Sequence, residues 1–306
     1  MQTVLVTLIT LVAFAANSVL CRWALMDQTI DPLSFSIVRI LSGALTLLIL
    51  LTLSSQSKSN SKPKQDSSNS DISGYTKLKS QFQFTSILSL LVYMFGFSFA
   101  YLELGAGLGA LVLFVAVQFT MIAAHLFSGN RMSLIEWGGC LLSVAGLVYL
   151  LMPTESTQAP DLVSIILMSL AGVGWGIYTL AGKKSLNALQ STTANFGFSS
   201  LVILVVLSLL VLIPNALTQV SITEQGLIYA VISGSVASGM GYSLWYYVVK
   251  KLNTVVASIA QLSVPVIATL GGALLLSEPV TMQFIVSSTV ILLGISLVLV
   301  APKLKK

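Results

Sequence analysis

The chain has 306 residues, 56% of them hydrophobic and only 8% charged, with a formal net charge of +5. A soluble domain carries about 25% charged residues to build its surface, so a soluble enzyme, a nucleic-acid binder and a disordered protein are all excluded. The 15 cations are set against 10 anions along an apolar chain, which is not a patch for phosphates.

In chain order, ten apolar runs are long enough to cross a bilayer core of about 30 Å, which needs about 20 helical residues. They span roughly 3–25, 33–53, 82–102, 105–127, 134–152, 162–182, 193–213, 225–249, 254–276 and 281–300. Backbone groups in lipid must be bonded internally, so these runs are predicted to be helices. In the first, Ala13-Phe14-Ala15 resembles a signal-peptide cleavage site, but no Lys or Arg precedes it as such a peptide requires. This run reads as a retained helix carrying Asn17.

The second run places Arg39 about 10 Å inside the membrane edge by helical rise. There it either snorkels outward along its stem or binds an anionic group. Residues 54–80 are Ser-rich, with Lys58, Lys62, Lys64, Lys77 and Lys79, and read as a flexible cytoplasmic loop.

From the third run onward, polar and aromatic residues fall on helical stripes, as groups facing a protein interior do. The third run has Tyr93, Phe97 and Tyr101, and the fourth has Gln118 and His125. The sixth has Trp175 and Tyr178, and the eighth has Ser238, Tyr242 and Trp245. The ninth has Ser258, Gln261 and Pro265, whose ring removes one hydrogen bond and clashes with the Gln261 carbonyl. Tyr101, Tyr246 and Tyr247 sit near span ends and read as interface anchors. His125 is either a packed or water-facing side chain or a proton relay. Gly105/Gly109 and Gly172/Gly176 have the spacing of close helix contacts.

With the N-terminus cytoplasmic, alternate loops collect every cation but Arg22 and Arg39 on the inside. Asp27, Asp31, Glu103, Glu155, Asp161, Glu224 and Glu278 gather outside. This separation follows the positive-inside rule and puts both termini in the cytoplasm.

Five helices per half would insert the second half upside down. Sliding 103–152 onto 251–300 puts Gly146 on Gly294, Asn130 on Glu278 and Val117 on Pro265. A matching alignment puts Phe14 on Trp175 and Arg22 on Lys183. The expected fold is an all-α integral membrane protein of ten transmembrane helices in two inverted five-helix repeats, 1–152 and 161–302.

Several motifs then carry a resemblance. Gly174-Trp175-Gly176-Ile177-Tyr178 before Lys183-Lys184, Gly241-Tyr242-Ser243-Leu244-Trp245-Tyr246, Pro265-Val266, Leu276-Ser277-Glu278-Pro279 and Phe35-Ser36-Ile37-Val38-Arg39 stand in order along the chain. It resembles an EamA-type member of the drug/metabolite transporter superfamily. The first half departs from the family pattern at Phe14, Val117 and Asn130. The resemblance implies that helices 1, 3, 4, 6, 8 and 9 surround a central cavity. Its candidate lining is Asn17, Tyr93, Phe97, Gln118, Trp175, Tyr178, Tyr242, Trp245, Gln261 and Pro265. It also implies export of small metabolites.

No phosphate-cradling loop is present: Gly182-Lys183-Lys184 lacks the first Gly and the following Ser or Thr. Cys21, Cys140 and a lone His125 make no metal site and no HExxH. No cofactor or metal is expected, and the chain is not expected to be an enzyme. Aromatic faces and amides suit a small zwitterion or amphipathic metabolite, such as an amino acid. The reading is a secondary transporter of the bacterial cytoplasmic membrane, with a small-molecule substrate and lipid as partners and no nucleic acid. The alternatives are a non-transporting membrane protein, as an intramembrane enzyme or scaffold, and a carrier of phosphate esters or nucleotide sugars.

Overall fold

A computed structural model of the chain describes residues 2–59, 83–129, 131–152, 160–210, 212, 220–252, 257 and 260–304. Most of the expected cytoplasmic loop 54–80 lies outside the described residues. So do Asn130, Glu155 and the rest of 153–159, and Ser258.

Among the described residues every named element is helical, with one isolated backbone bridge between Ile30 and Ile222. The helices are α1 (Gln2–Met26), α2 (Pro32–Ser59), α3 (Phe84–Ala100), α4 (Ala106–Phe127) and α5 (Leu134–Leu151). They continue with α6 (Leu162–Lys183), α7 (Ala188–Leu210), α8 (Glu224–Val249), α9 (Ser263–Leu275) and α10 (Met282–Leu304). Seven of them, all but α3, α9 and α10, are long and apolar enough to cross a membrane; those three contribute the shorter apolar stretches Phe84–Ala100, Ser263–Leu275 and Met282–Val298.

Local chemistry sets the helix starts. Ser133 and Glu136 form a capping box on α5, and Asp161 accepts from the Ser164 N–H at 2.7 Å on α6. Thr223 accepts from the Gly226 N–H at 3.2 Å on α8. Helix α7 starts at Ala188, not at the expected 193. The Asn187 side chain accepts from the Gln190 N–H at 3.0 Å and caps a start whose polar run, Gln190-Ser191-Thr192-Thr193, breaks the apolar signal.

The outside of the bundle is apolar, unlike that of a soluble protein. Leu5, Leu8 and Val12 on α1, Leu45, Leu48 and Ile49 on α2, and Leu141, Val144 and Val148 on α5 face outward. Asn17, Arg39, Gln118 and Gln261 are buried. Lipid rewards apolar groups outside and gives no hydrophobic force between helices, so packing and interhelical hydrogen bonds hold the bundle.

Helix α3 packs on α6, α4 on α6 and α9, and α5 on α10. Helix α1 packs on α8 and α9, and α2 on α7 and α8. The expected close contacts of Gly172 and Gly176 lie between α6 and α4. A Cβ on Gly172 would come within 2.4 Å of the Leu113 carbonyl, and one on Gly176 within 2.8 Å of Thr120.

Helix α8 contains a π-helical segment, Ser233–Met240. In an α-helix residues five apart point about 140° away from each other. A π turn brings them onto one face, and here Ser233 and Ser238 both face the bundle centre, fully buried.

Candidate functional site

The centre of the bundle is built around Arg39 on α2, which has no exposed surface. Its Nε donates to Ser238 Oγ at 2.8 Å, and its Nη2 donates to the hydroxyls of Tyr93 (3.0 Å) and Tyr242 (2.6 Å). The guanidinium lies over the Phe97 ring, 4.8 Å from its centroid, and 5.3 Å from that of Tyr93. Its Nη1 is buried with no hydrogen-bond partner. Ser36, Arg39 and Gly43 line one face of α2, and all three are buried, so the helix turns its small and polar stripe inward.

The acceptors around Arg39 are themselves fixed. The Tyr242 hydroxyl donates to that of Tyr93 at 2.8 Å, and Asn17 Nδ2 donates to the same Tyr93 oxygen at 3.3 Å. Asn17 Oδ1 accepts from Ser233 Oγ at 2.5 Å. One network therefore runs from α1 through α2 and α3 to both turns of the π segment of α8.

Aromatic rings enclose the network on its other side. Trp175 lies 5.1 Å from Phe14, 5.0 Å from Tyr93 and 4.6 Å from Tyr242 between centroids, and stacks on Tyr178 at 5.6 Å. The Trp175 Nε1–H donates to Gln261 Oε1 at 3.1 Å, which links α6 to α9. Trp245 Nε1–H donates to Thr179 at 3.4 Å and packs edge-on against Phe14. Four residues beyond Gln261, Pro265 cannot donate to its carbonyl. The helix is interrupted by a turn at Leu262, and α9 resumes at Ser263.

Of the candidate residues, Asn17, Tyr93, Phe97, Trp175, Tyr178, Tyr242, Trp245 and Gln261 thus meet in one buried cluster. Gln118 and Pro265 are also buried, on the neighbouring faces of α4 and α9. His125 is exposed in the last turn of α4, away from the cluster. Two expectations are corrected. Arg39 does not snorkel outward: hydroxyls on α3 and α8 take its donors, so its head stays inside. Tyr101 and Tyr246 are not interface anchors. Both are buried, with Tyr101 donating to the Ala106 carbonyl at 3.3 Å and Tyr246 to the Tyr178 carbonyl at 3.0 Å.

The sequence reading missed Ser233, Phe196 and Asn195. Phe196 lies 5.9 Å from Tyr242 between centroids, and Asn195 Nδ2 donates to the Tyr178 hydroxyl at 3.4 Å. For Ser233 the available signal was the run of small residues Ser233-Gly234-Ser235, which reads as packing alone.

A second polar cluster lies at one end of the bundle. Arg22 Nε donates to Glu278 Oε1 at 3.3 Å, and its Nη1 donates to the carbonyls of Tyr101 (3.0 Å) and Leu102 (2.7 Å). Glu278 accepts from the Ala106 N–H at 2.8 Å, at the start of α4, whose N-cap Gly105 has no side chain to do so. A cavity of about 290 Å³ lies beside this pair, lined among others by Thr269, Thr281 and Gln283.

The model of the EamA-like transporter family matches residues 1–152 and 162–300. An uncharacterized protein of Pseudomonas aeruginosa is 39% identical over 303 residues, 99% of this chain and 96% of its own. The threonine/homoserine exporter RhtA of Escherichia coli K12 is 28% identical over 179 residues, 56% of each chain. A solved crystal structure superposes with a TM-score of 0.61 at 17% identity, covering 97% of this chain and 99% of its own, a likeness of fold alone.

Proposed function

The chain belongs to the EamA-like transporter family, and on that premise we propose that it is a secondary transporter that exports small metabolites, amino acids first among them, from the bacterial cytoplasm. The observation that carries this is the buried polar and aromatic cluster in the middle of a bundle whose outside is apolar. Polar groups at that depth are costly, and they mark solute pathways in membrane proteins. The name of the RhtA relative gives the class of solute to try first. The candidate lining residues act as the solute site, and alternating access moves the solute past them.

We further propose that the chain crosses the membrane ten times, in two inverted halves, 1–152 and 161–302, with both termini cytoplasmic. The packing supports this. Exchanging helices one to five with six to ten carries the α3–α6 pair onto α8–α1, α4–α6 onto α9–α1, and α2–α8 onto α7–α3; every one of these pairs is in contact. The pairs α2–α7, α4–α9 and α5–α10 map onto themselves and are in contact too. Positions matched by the repeat touch near its axis: Phe14 meets Trp175, and Ser143 Oγ donates to the Ile291 carbonyl at 3.3 Å. Inverted repeats with a site near the midplane are a recurrent build of secondary transporters.

The test is metabolite release from cells overproducing the protein, against a vector control, followed by transport in liposomes. Amino acids or related small metabolites are expected to rise outside the cells. An unchanged profile with the protein present in the membrane, together with inert liposomes, overturns the reading. A reporter fused at position 65 is expected to report the cytoplasmic side; activity outside would reverse the topology.

A further inference from the structure

We propose that Arg39 is the carboxylate-recognition group of the solute site, so that transported amino acids are held by their carboxylate at Nη1. This rests on the transporter reading above and goes further, by naming the residue and the part of the solute that it binds.

A guanidinium stays charged at any physiological pH, and a charge buried in a bilayer is costly unless it is paired. Among the described residues the one ion pair is between Arg22 and Glu278, so no described carboxylate lies within ion-pair distance of Arg39. What Arg39 has instead are neutral hydroxyls and ring faces. Those contacts fix its orientation and take the donors of Nε and Nη2, but they supply no negative charge. Nη1 is left over, buried and without a partner. Both Nη1 hydrogens are free to make charge-assisted bonds to a carboxylate, and that carboxylate can also accept from the Tyr93 hydroxyl, which accepts from Arg39, Asn17 and Tyr242 and still carries its own hydrogen. The Trp175 ring lies beside both tyrosines. We assign the α-ammonium next to the bound carboxylate to this ring, by cation–π attraction.

The experiment compares neutral L-amino acids with their amides, in liposomes holding the full-length protein. The amides keep the ammonium and side chain and replace the charged carboxylate with a neutral carboxamide. Wild-type protein is expected to move the acids at least about tenfold faster than the amides, the loss of one charge-assisted contact. Arg39→Met is expected to bring the acids down to the amide rate, and Arg39→Lys to recover them only in part, because an ammonium has three donors and cannot hold the Ser238, Tyr93 and Tyr242 hydroxyls and still donate to the solute. Amides moved as readily as acids by wild-type protein overturn the carboxylate subsite and leave the transporter reading standing. So does Arg39→Met protein that keeps its preference for acids. If wild-type protein moves neither, the amino-acid reading fails. The subsite is then judged by tryptophan fluorescence of purified protein titrated with simple monocarboxylates. A change seen in wild-type and lost in Arg39→Met sustains it, and no difference between the two overturns it. Because the acid-against-amide comparison uses wild-type protein, misfolding of a variant cannot decide the result.

Discussion

Arg22 and Arg39 sit on consecutive helices and settle their charges in opposite ways. Arg22 lies at the end of α1, with Glu278 as its counter-ion and two carbonyls accepting from its Nη1. Water reaches this pair, so whatever the chain leaves unsatisfied, solvent can complete. Arg39 lies beyond the reach of water, and its neighbours are hydroxyls and rings. The first arginine is neutralised by the chain and fastens loops together. The second is held rigidly but not neutralised, which is the state of a group waiting for a partner from outside the chain.

The most damaging way to break this contrast is to disturb the seat of Arg39. A Cβ on Gly234, in the π segment of α8, would lie 2.3 Å from the Arg39 carbonyl oxygen, 2.8 Å from its Cα and 2.0 Å from Ser42 Oγ. The first two are backbone atoms and cannot swing aside. Gly234→Val is expected to cost on the order of 3 kcal/mol and to abolish transport, read by thermal unfolding in detergent and liposome uptake. Gly197→Val is the control, since a Cβ there meets nothing within 4 Å. At the other arginine the same kind of change is mild: the atoms nearest a Cβ on Gly105 are those of the Glu278 carboxylate, at 3.2 Å, a side-chain group that has to give by only a few tenths of an ångström. Equal losses from Gly234→Val and Gly105→Ala would erase the distinction between the two sites.

A smaller change sharpens it. Tyr242→Phe removes the hydroxyl that accepts from Arg39 and donates to Tyr93, while keeping the ring among its aromatic neighbours. Leaving a buried donor without its acceptor costs about 1–3 kcal/mol. Transport is expected to fall about tenfold, as the guanidinium loses its fixed orientation. Unchanged transport by protein of normal melting temperature would mean that Ser238 and Tyr93 alone hold Arg39.

Much of this architecture was legible in the residues. The apolar runs locate the helices, because lipid leaves little choice of backbone structure. Tyr93, Trp175, Tyr242 and Gln261 stood out as polar or aromatic groups on helical stripes. Arg39 was harder, because depth along a helix does not say which way a side chain leaves it. The buried face made by Ser36, Arg39 and Gly43 carried that information, and it becomes decisive only when α3 and α8 supply hydroxyls opposite. Tyr101 and Tyr246 failed for the same reason: a tyrosine near a span end looks alike whether lipid or another helix lies beside it. The π segment left no periodic trace, since its small residues suit any close-packed helix.

The smallest expected effect concerns the Arg22–Glu278 pair itself, and it separates an ion pair from the roles of its two members. Their side chains are 16% and 17% exposed, joined by one contact at 3.3 Å. Partly hydrated pairs of this kind are worth about 0–1 kcal/mol. A double-mutant cycle of Arg22→Gln and Glu278→Gln is therefore expected to give a coupling energy under about 1 kcal/mol, shrinking further as salt is raised. Each member does more alone. Glu278 takes the place of a missing cap on α4, where its charge also meets the positive end of the helix, and Arg22 holds the 101–102 carbonyls. Reversing the pair, Arg22→Glu with Glu278→Arg, keeps the attraction but should not restore stability. A carboxylate at position 22 cannot donate to two carbonyls, and a guanidinium at position 278 cannot accept from the Ala106 N–H. Recovery by the reversed pair, or a coupling of several kcal/mol in unfolding experiments, would show that charge attraction governs this end of the bundle. The contrast with Arg39 would then be one of degree alone.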